Sequence, residues 1–248
     1  VSPQTGASTS GSSDTSGTDD TSAGVPVPGA AGAATARNLA ALALRAWALR
    51  VSSLHLVPVD GPVLLAANHV GFLDGLVLVG SAPRPVHVLA SPSLFRPPWA
   101  GVLRASGQIA YDADRPDRAA LHAALDVLQD GGAVAAFPEA HRGAGDVAHV
   151  RHGTAYLAHL SGAPVVPVAL LGTRPPGAGP DALPRWRSRI DIVFGEPVDI
   201  RASGDPRRRA VVARTGERLR QVLADHVRTA CRRTGQDLPG PIPARSTT

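Results

Sequence analysis

Seven short apolar runs punctuate this chain of 248 residues: Leu54–Val57, Val63–Ala67, Val86–Ala90, Gln108–Tyr111, Ala133–Phe137, Pro164–Leu170 and Ile190–Phe194. Each is bounded by Gly, Pro, Asp or Ser, which marks it as a strand. Between them, Leu73–Gly80, Trp99–Ala105, Arg115–Gln129 and Thr154–Leu160 carry helical patterns. Runs apolar on both faces must bury both, and a largely parallel sheet covered by helices is the arrangement that does so. The expected fold is a single α/β domain, a mostly parallel central sheet flanked by helices, and the length suits one such core.

The ends read differently. Residues 1–36 are almost entirely Ser, Thr, Gly, Ala, Asp and Pro, too poor in bulky apolar groups to offset the entropy of ordering, and are expected to be a disordered head. Residues 37–50, rich in Ala and Leu and free of Gly and Pro, predict a helix. Two placements fit it: packed on the domain, or lying in a membrane interface with Trp47 and the arginines as anchors. The domain itself is expected over 51–234, ending in a long helix over Pro206–Thr234, followed by a Pro-rich, frayed tail over 235–248.

Composition removes whole classes of chemistry. No lysine occurs, so neither a P-loop nor a pyridoxal Schiff base can be built. One cysteine, Cys231, allows no disulfide framework and no thiolate metal cluster, and His149 and His152, with His141 nearby, fit no common ligand spacing, so no bound metal is expected. No run approaches the roughly 18 apolar residues of a spanning helix, and the first residues lack a signal-peptide pattern. The formal net charge of +5 divides into −3 over residues 1–36 and +8 over the rest. A basic surface suits anionic lipid, nucleic acid or an acidic substrate, but aromatic residues are too few for a base-stacking platform, so no nucleic-acid partner is expected.

The run Val63–Ala67 is followed by Asn68-His69-Val70-Gly71-Phe72-Leu73-Asp74 and a return to helical pattern. Asn68 can cap the helix beyond it, and His69 falls at a strand-to-helix turn. On one ideal helix, side chains five apart point about 140° away from each other; a His before the helix can meet an Asp inside it. A carboxylate fixes an imidazole in one tautomer and makes it a better base, as removal of an alcohol proton requires. Further on, a buried strand stops at Pro138 and presents Glu139 and Arg142, where open α/β sheets place their sites. Arg142 can bind a phosphate through two parallel hydrogen bonds, and Glu139 can hold that arginine or an acceptor hydroxyl. In Pro164–Leu170 the interior Pro167 predicts an edge strand or one entering a wall of the site.

In this order the segments resemble the glycerolipid acyltransferase family that includes 1-acylglycerol-3-phosphate acyltransferases, over roughly Val51–Ile200. His69 and Asp74, preceded by Asn68, match its His-x4-Asp motif; Phe137, Pro138, Glu139 and Arg142 match its Phe-Pro-Glu-Gly-x-Arg motif; Gly107 opens its second motif, and Pro167 lies in its late apolar motif. The sequence departs from the pattern at Ala140 and His141, which replace Gly and Thr or Ser, and at Ala113, which replaces a phosphate-binding arginine; Arg115 is the nearby substitute. The resemblance implies that a fatty acyl group passes from acyl-coenzyme A or acyl-carrier protein, a substrate rather than a bound cofactor, to a lysolipid hydroxyl. It assigns His69 and Asp74 to catalysis and Glu139, Arg142 and Arg115 to the acceptor; it assigns no oxyanion donor, for which the backbone amides near the Gly71 turn are a candidate. It also implies a peripheral protein on the cytoplasmic side of an anionic membrane.

Overall fold

The strand-forming runs assemble into one seven-stranded sheet, seen in a computed structural model that describes residues 30–205 and 208–243. In chain order the elements are α1 (Ala30–Ala43), β1 (Ala48–Ser52), β2 (Val63–Ala67), α2 (Asp74–Ser81), β3 (Val86–Ala90), α3 (Ala100–Ala105), β4 (Ile109–Ala110), α4 (Arg118–Gln129), β5 (Ala133–Ala136), α5 (His152–Ser161), β6 (Val165–Leu171), β7 (Arg189–Phe194) and α6 (Arg209–Thr234). The spatial order is β1-β7-β6-β2-β5-β3-β4. Every pairing is parallel except β6 with β7, so β1 and β7 run against the other five. This is the α/β fold expected from the apolar runs.

Alternation along the buried strands feeds two layers. Val63, Leu65 and Ala67 of β2 join Val166, Val168 and Leu170 of β6 in a core with Ala40 and Leu44 at the end of α1 and Val77 and Leu78 of α2. Leu64 and Ala66 point the other way, against Ala124 and Leu128 of α4, Leu157 of α5 and Leu219 of α6. Farther along that face, Leu223 and Val227 of α6 cover Leu171 and Val193. With both faces covered, β2 is buried at every residue, which is why it reads as a continuous apolar run.

Four expectations at the edges of the domain are corrected. The head reading over residues 1–29 lies outside the described residues, but residues 30–36 belong to α1. Their small side chains pack by close approach, with Ala33 buried and Gly32 seated against the Ala105 carbonyl, a kind of burial that low complexity disguises. The helix expected over 37–50 ends at Ala43, and residues 48–52 form β1, in register with β7 from Ala48–Arg189 to Ser52–Val193. Helix propensities there differ by less than about 0.7 kcal/mol per residue, and the ladder overrides them. Leu54–Leu56 is a 3₁₀ turn rather than a strand, because Ser53 adopts φ +59° and ends β1. The tail expected to fray is tied down through Gly240: Gln236 donates to Asp191, and Pro239 accepts from Gly177 N–H at 3.3 Å.

Of the two placements expected for the strand with Pro167, the edge is excluded, since β6 is an interior strand between β2 and β7. Pro167 is tolerated because its carbonyl, and hence its missing N–H, faces Gly195, one residue beyond the end of β7. The cost is a single reciprocal bond to Gly195, where the regular β6–β7 ladder has already ended.

Candidate active site

Three strands adjacent in the sheet, β6, β2 and β5, run parallel and release their chains at the same end. The segments after them carry Thr173 and Arg174, His69, and Glu139 to Arg142 respectively. Asn68 continues β2 by one residue with its side chain: its amide oxygen accepts from Leu170 N–H at 2.7 Å and its amide nitrogen donates to Leu170 O at 3.1 Å. It extends the ladder to β6 rather than capping α2, which begins without a side-chain cap.

The turn after Asn68 brings His69 back to Asp74, the first residue of α2. His69 Nδ1 lies 2.8 Å from Asp74 Oδ2, which also accepts the N–H groups of Val70 at 2.7 Å and Gly71 at 2.9 Å. Thr173 donates its hydroxyl to the other oxygen, Oδ1. Asp74 is fully buried and all its partners are donors, the environment of an ionised carboxylate. Facing an acceptor, Nδ1 carries the proton, which leaves Nε2 as a lone pair. The His69 side chain is 18% exposed, and its ring stacks on Phe137 at 4.2 Å and 21°. The imidazole is therefore fixed in tautomer by Asp74 and in plane by Phe137. The Val70 and Gly71 amides, candidates for the oxyanion, donate to Asp74.

The loop after β5 grips the backbone of the same histidine. Glu139 Oε1 accepts His69 N–H at 2.8 Å, and Gly143 N–H donates to His69 O at 2.9 Å. Glu139 thus does not hold Arg142, one of the two roles expected of it. Arg142 reaches away to Asp181 Oδ1 at 2.7 Å and Pro180 O at 3.2 Å, with its guanidinium 5.9 Å from the Phe72 ring centroid. Ala140, where the family pattern has Gly, is left-handed at φ +66°, a conformation that costs an L-residue roughly 1–2 kcal/mol. His141 points to Asp114, which also pairs with Arg151 at 3.0 Å. Arg151 donates its backbone N–H to Pro138 O at 2.7 Å, so it borders the loop that holds His69. Arg115 is exposed beside Asp114 and makes none of the contacts joining these segments among the described residues. Gly107 lies apart, in the turn between α3 and β4, with its carbonyl bound by His87.

Burial pushes the Glu139 carboxyl up to about 7. The N–H of His69 opposes the shift, as does that of Val147, while the charges of Asp146 and Asp74 add to it. Between the carboxyl's ordinary 4.5 and about 7, the folded protein keeps a proton that the unfolded chain has released. Stability contributed by Glu139 is therefore complete below about pH 4.5 and falls as pH rises to about 7. Glu139→Gln is expected to gain thermal stability relative to the parent across that window. Melting temperatures of the two proteins at successive pH values check this; parallel curves would refute it.

Thr173 and Arg174 were not anticipated. Arg174 is 2% exposed and donates to four carbonyls: Val70 at 2.8 Å, Ala178 at 2.7 Å, Gly143 at 2.8 Å and Gly240 at 2.6 Å. Burial lowers its pKa and the charge of Asp74 supports it. Gly71 closes the arrangement, since a Cβ there would lie 2.6 Å from the Thr173 carbonyl oxygen. The one signal in the sequence was a Thr-Arg pair one glycine beyond an apolar strand that ends where sites form.

Comparison with known proteins gives a family, a curated relative and a solved structure. The 1-acyl-sn-glycerol-3-phosphate acyltransferase of Borreliella burgdorferi is 27% identical over 121 residues, 47% of this chain and 48% of that protein, so the chain spans about half the length of the curated relative it matches. The crystal structure of the 1-acyl-sn-glycerophosphate (LPA) acyltransferase PlsC from Thermotoga maritima shares the fold, with a TM-score of 0.61 at 20% identity, covering 82% of this chain and 79% of that one. The Acyltransferase family model matches residues 48–171, from the start of β1 to the end of β6. That span contains His69, Asp74, Glu139 and Arg142, and the chain belongs to the acyltransferase family.

Proposed function

We propose that the protein transfers a fatty acyl group from a coenzyme A or acyl-carrier-protein thioester to the free hydroxyl of 1-acylglycerol-3-phosphate, a step of phospholipid biosynthesis. The observation that carries the reading is the His69–Asp74 pair, with Nδ1 committed to a buried carboxylate and Nε2 free. Nε2 takes the hydroxyl proton as the alcohol oxygen attacks the thioester carbonyl. Asp74 stabilises the imidazolium that forms. Collapse of the tetrahedral adduct breaks the C–S bond, and the thiolate recovers the proton from His69, leaving ester and thiol. No acyl-enzyme is required.

The acceptor's phosphate is assigned to Arg142. Its pair with Asp181, whose side chain is 74% exposed, is a surface contact worth at most about 1 kcal/mol, so an incoming phosphate can displace it. Arg115 supplies further positive charge beside Asp114. Glu139 serves by holding the His69 backbone. The name of the Borreliella burgdorferi relative supports the acceptor.

Contact with an anionic membrane belongs to the same reading. No helix among the described residues is long and apolar enough to cross a membrane. Phe72, Leu183 and Trp186 are exposed on the segments after β2 and before β7, at the sheet end that carries His69. A lysolipid can reach His69 from a bilayer met by that end, at the cytoplasmic surface.

The test is mass analysis of products from a mixed lysolipid pool supplied with acyl-coenzyme A or acyl-carrier protein. Phosphatidate formed with release of thiol is expected. Acylation confined to a phosphate-free lipid or glycolipid would overturn the acceptor, and lipid binding without thiol release would make this a silent lipid-binding protein.

A further inference from the structure

We propose that Thr173 is a positioning residue for acyl transfer, one that acts by locking the Asp74 carboxylate so that a single oxygen serves His69. The inference rests on the reading of His69 as the base.

The two oxygens of a carboxylate are equivalent until their surroundings distinguish them. At Asp74 they are sharply distinguished: Oδ2 takes three N–H groups, from the His69 ring and the backbone of Val70 and Gly71, while Oδ1 takes the Thr173 hydroxyl. Three donors on Oδ2 resist rotation about the Cβ–Cγ bond, but without the Thr173 hydroxyl Oδ1 would be a buried anionic oxygen with no donor, and that penalty favours turning the carboxylate to share its donors. Asp74 and Thr173 are both wholly buried, so bulk water does not stand in for the hydroxyl. Rotation of the carboxylate would draw Oδ2 off the His69 ring, and a shift of about 1 Å in a reacting constellation can cost on the order of 100-fold in rate.

The backbone of Thr173 presses on the same turn. Its carbonyl lies so close to Gly71 that a Cβ there would stand 2.6 Å from the oxygen. Thr173 therefore fixes the turn by its main chain and the carboxylate by its side chain. Both contacts join the segment after β6 to the segment after β2, and neither reaches solvent. Thr173 is 0% exposed and touches neither acceptor nor donor directly, and a substitution that keeps its backbone is expected to lower kcat rather than raise KM.

The experiment compares Thr173→Ser, Thr173→Cys and Thr173→Val in the full-length protein, with kcat, KM for donor and acceptor, and melting temperature measured for each. Ser keeps the hydroxyl, Cys has a weak donor of nearly the same size, and Val keeps the shape alone. Expected are kcat within about threefold of the parent for Ser, an intermediate value for Cys, and a loss of roughly 10- to 100-fold for Val, with KM within about twofold throughout. If the Val variant does not fold, Cys below Ser in kcat at unchanged KM carries the same conclusion. An unchanged kcat in Val, equal kcat in Ser and Cys, or a loss that tracks the missing methyl would overturn it. Activity retained by His69→Ala overturns the base and this inference together, whereas activity retained by Thr173→Val alone overturns only the positioning role.

Discussion

His69→Ala is expected to reduce acyl transfer by roughly 10³- to 10⁴-fold while the protein stays folded. The side chain holds no part of the core: it stacks on Phe137 at the surface of the site and bonds Asp74, and its backbone bonds to Glu139 and Gly143 survive in alanine. Melting temperature should change little, while release of thiol from the donor in the presence of lysolipid should nearly stop. Asp74→Asn should come close to the same loss, because an amide cannot accept from His69, Val70, Gly71 and Thr173 at once. As the two side chains act as a unit, the double variant should be scarcely worse than either single one. Multiplicative losses would mean that His69 and Asp74 work separately, contrary to the geometry.

Arg174→Met should carry the largest cost in stability, about 4 kcal/mol or more, given that each buried acceptor left unpaired costs roughly 1–3 kcal/mol. Arg174 is a buried cation without a hydrogen-bonded carboxylate, held by four backbone carbonyls. Methionine fills much of the volume but satisfies none of the four oxygens. Partial relaxation and water entry reduce the summed penalty, yet even so it is a large share of the roughly 5–15 kcal/mol typical of a whole domain. Arg174→Lys should fall between, since an ammonium has the charge but not the planar fork that reaches four directions. Urea unfolding monitored by circular dichroism is the measurement. A Met variant within about 1 kcal/mol of the parent would show that the carbonyls find other donors.

Legibility in the sequence depends on the range of each interaction. His69 and Asp74 are five residues apart and meet across one turn, so spacing and the family pattern found them together. Glu139 and Arg142 were found by pattern, but their partners were not: Glu139 binds a backbone 70 residues away and Arg142 a loop 39 residues on. Thr173 and Arg174 belong to no motif, and their contacts to Asp74 and Val70 span 99 and 104 residues. Strands β2, β3, β5, β6 and β7 announced themselves because burial on both faces makes them mostly apolar, His87 and Asp191 being the buried exceptions in β3 and β7. The edge strand β1, with Ala48, Arg50 and Val51 exposed, had no such signature and looked helical. The interior place of Pro167 could not be foreseen either, because it depends on where β7 ends.

The three strand ends that carry the site are neighbours in the sheet but distant along the chain, and this sets the order in which the protein comes alive. Helices α2, α4 and α5 can form from local contacts, whereas joining Asp74 to Thr173 must close a loop spanning 99 residues. During synthesis, a chain that has emerged only as far as α5 holds His69 and Asp74 but lacks the hydroxyl and the guanidinium that brace them. These contacts form only once β6 has paired with β2, β7 then adding to its far side, so recovery of activity on refolding is expected to follow completion of the sheet rather than the appearance of helix.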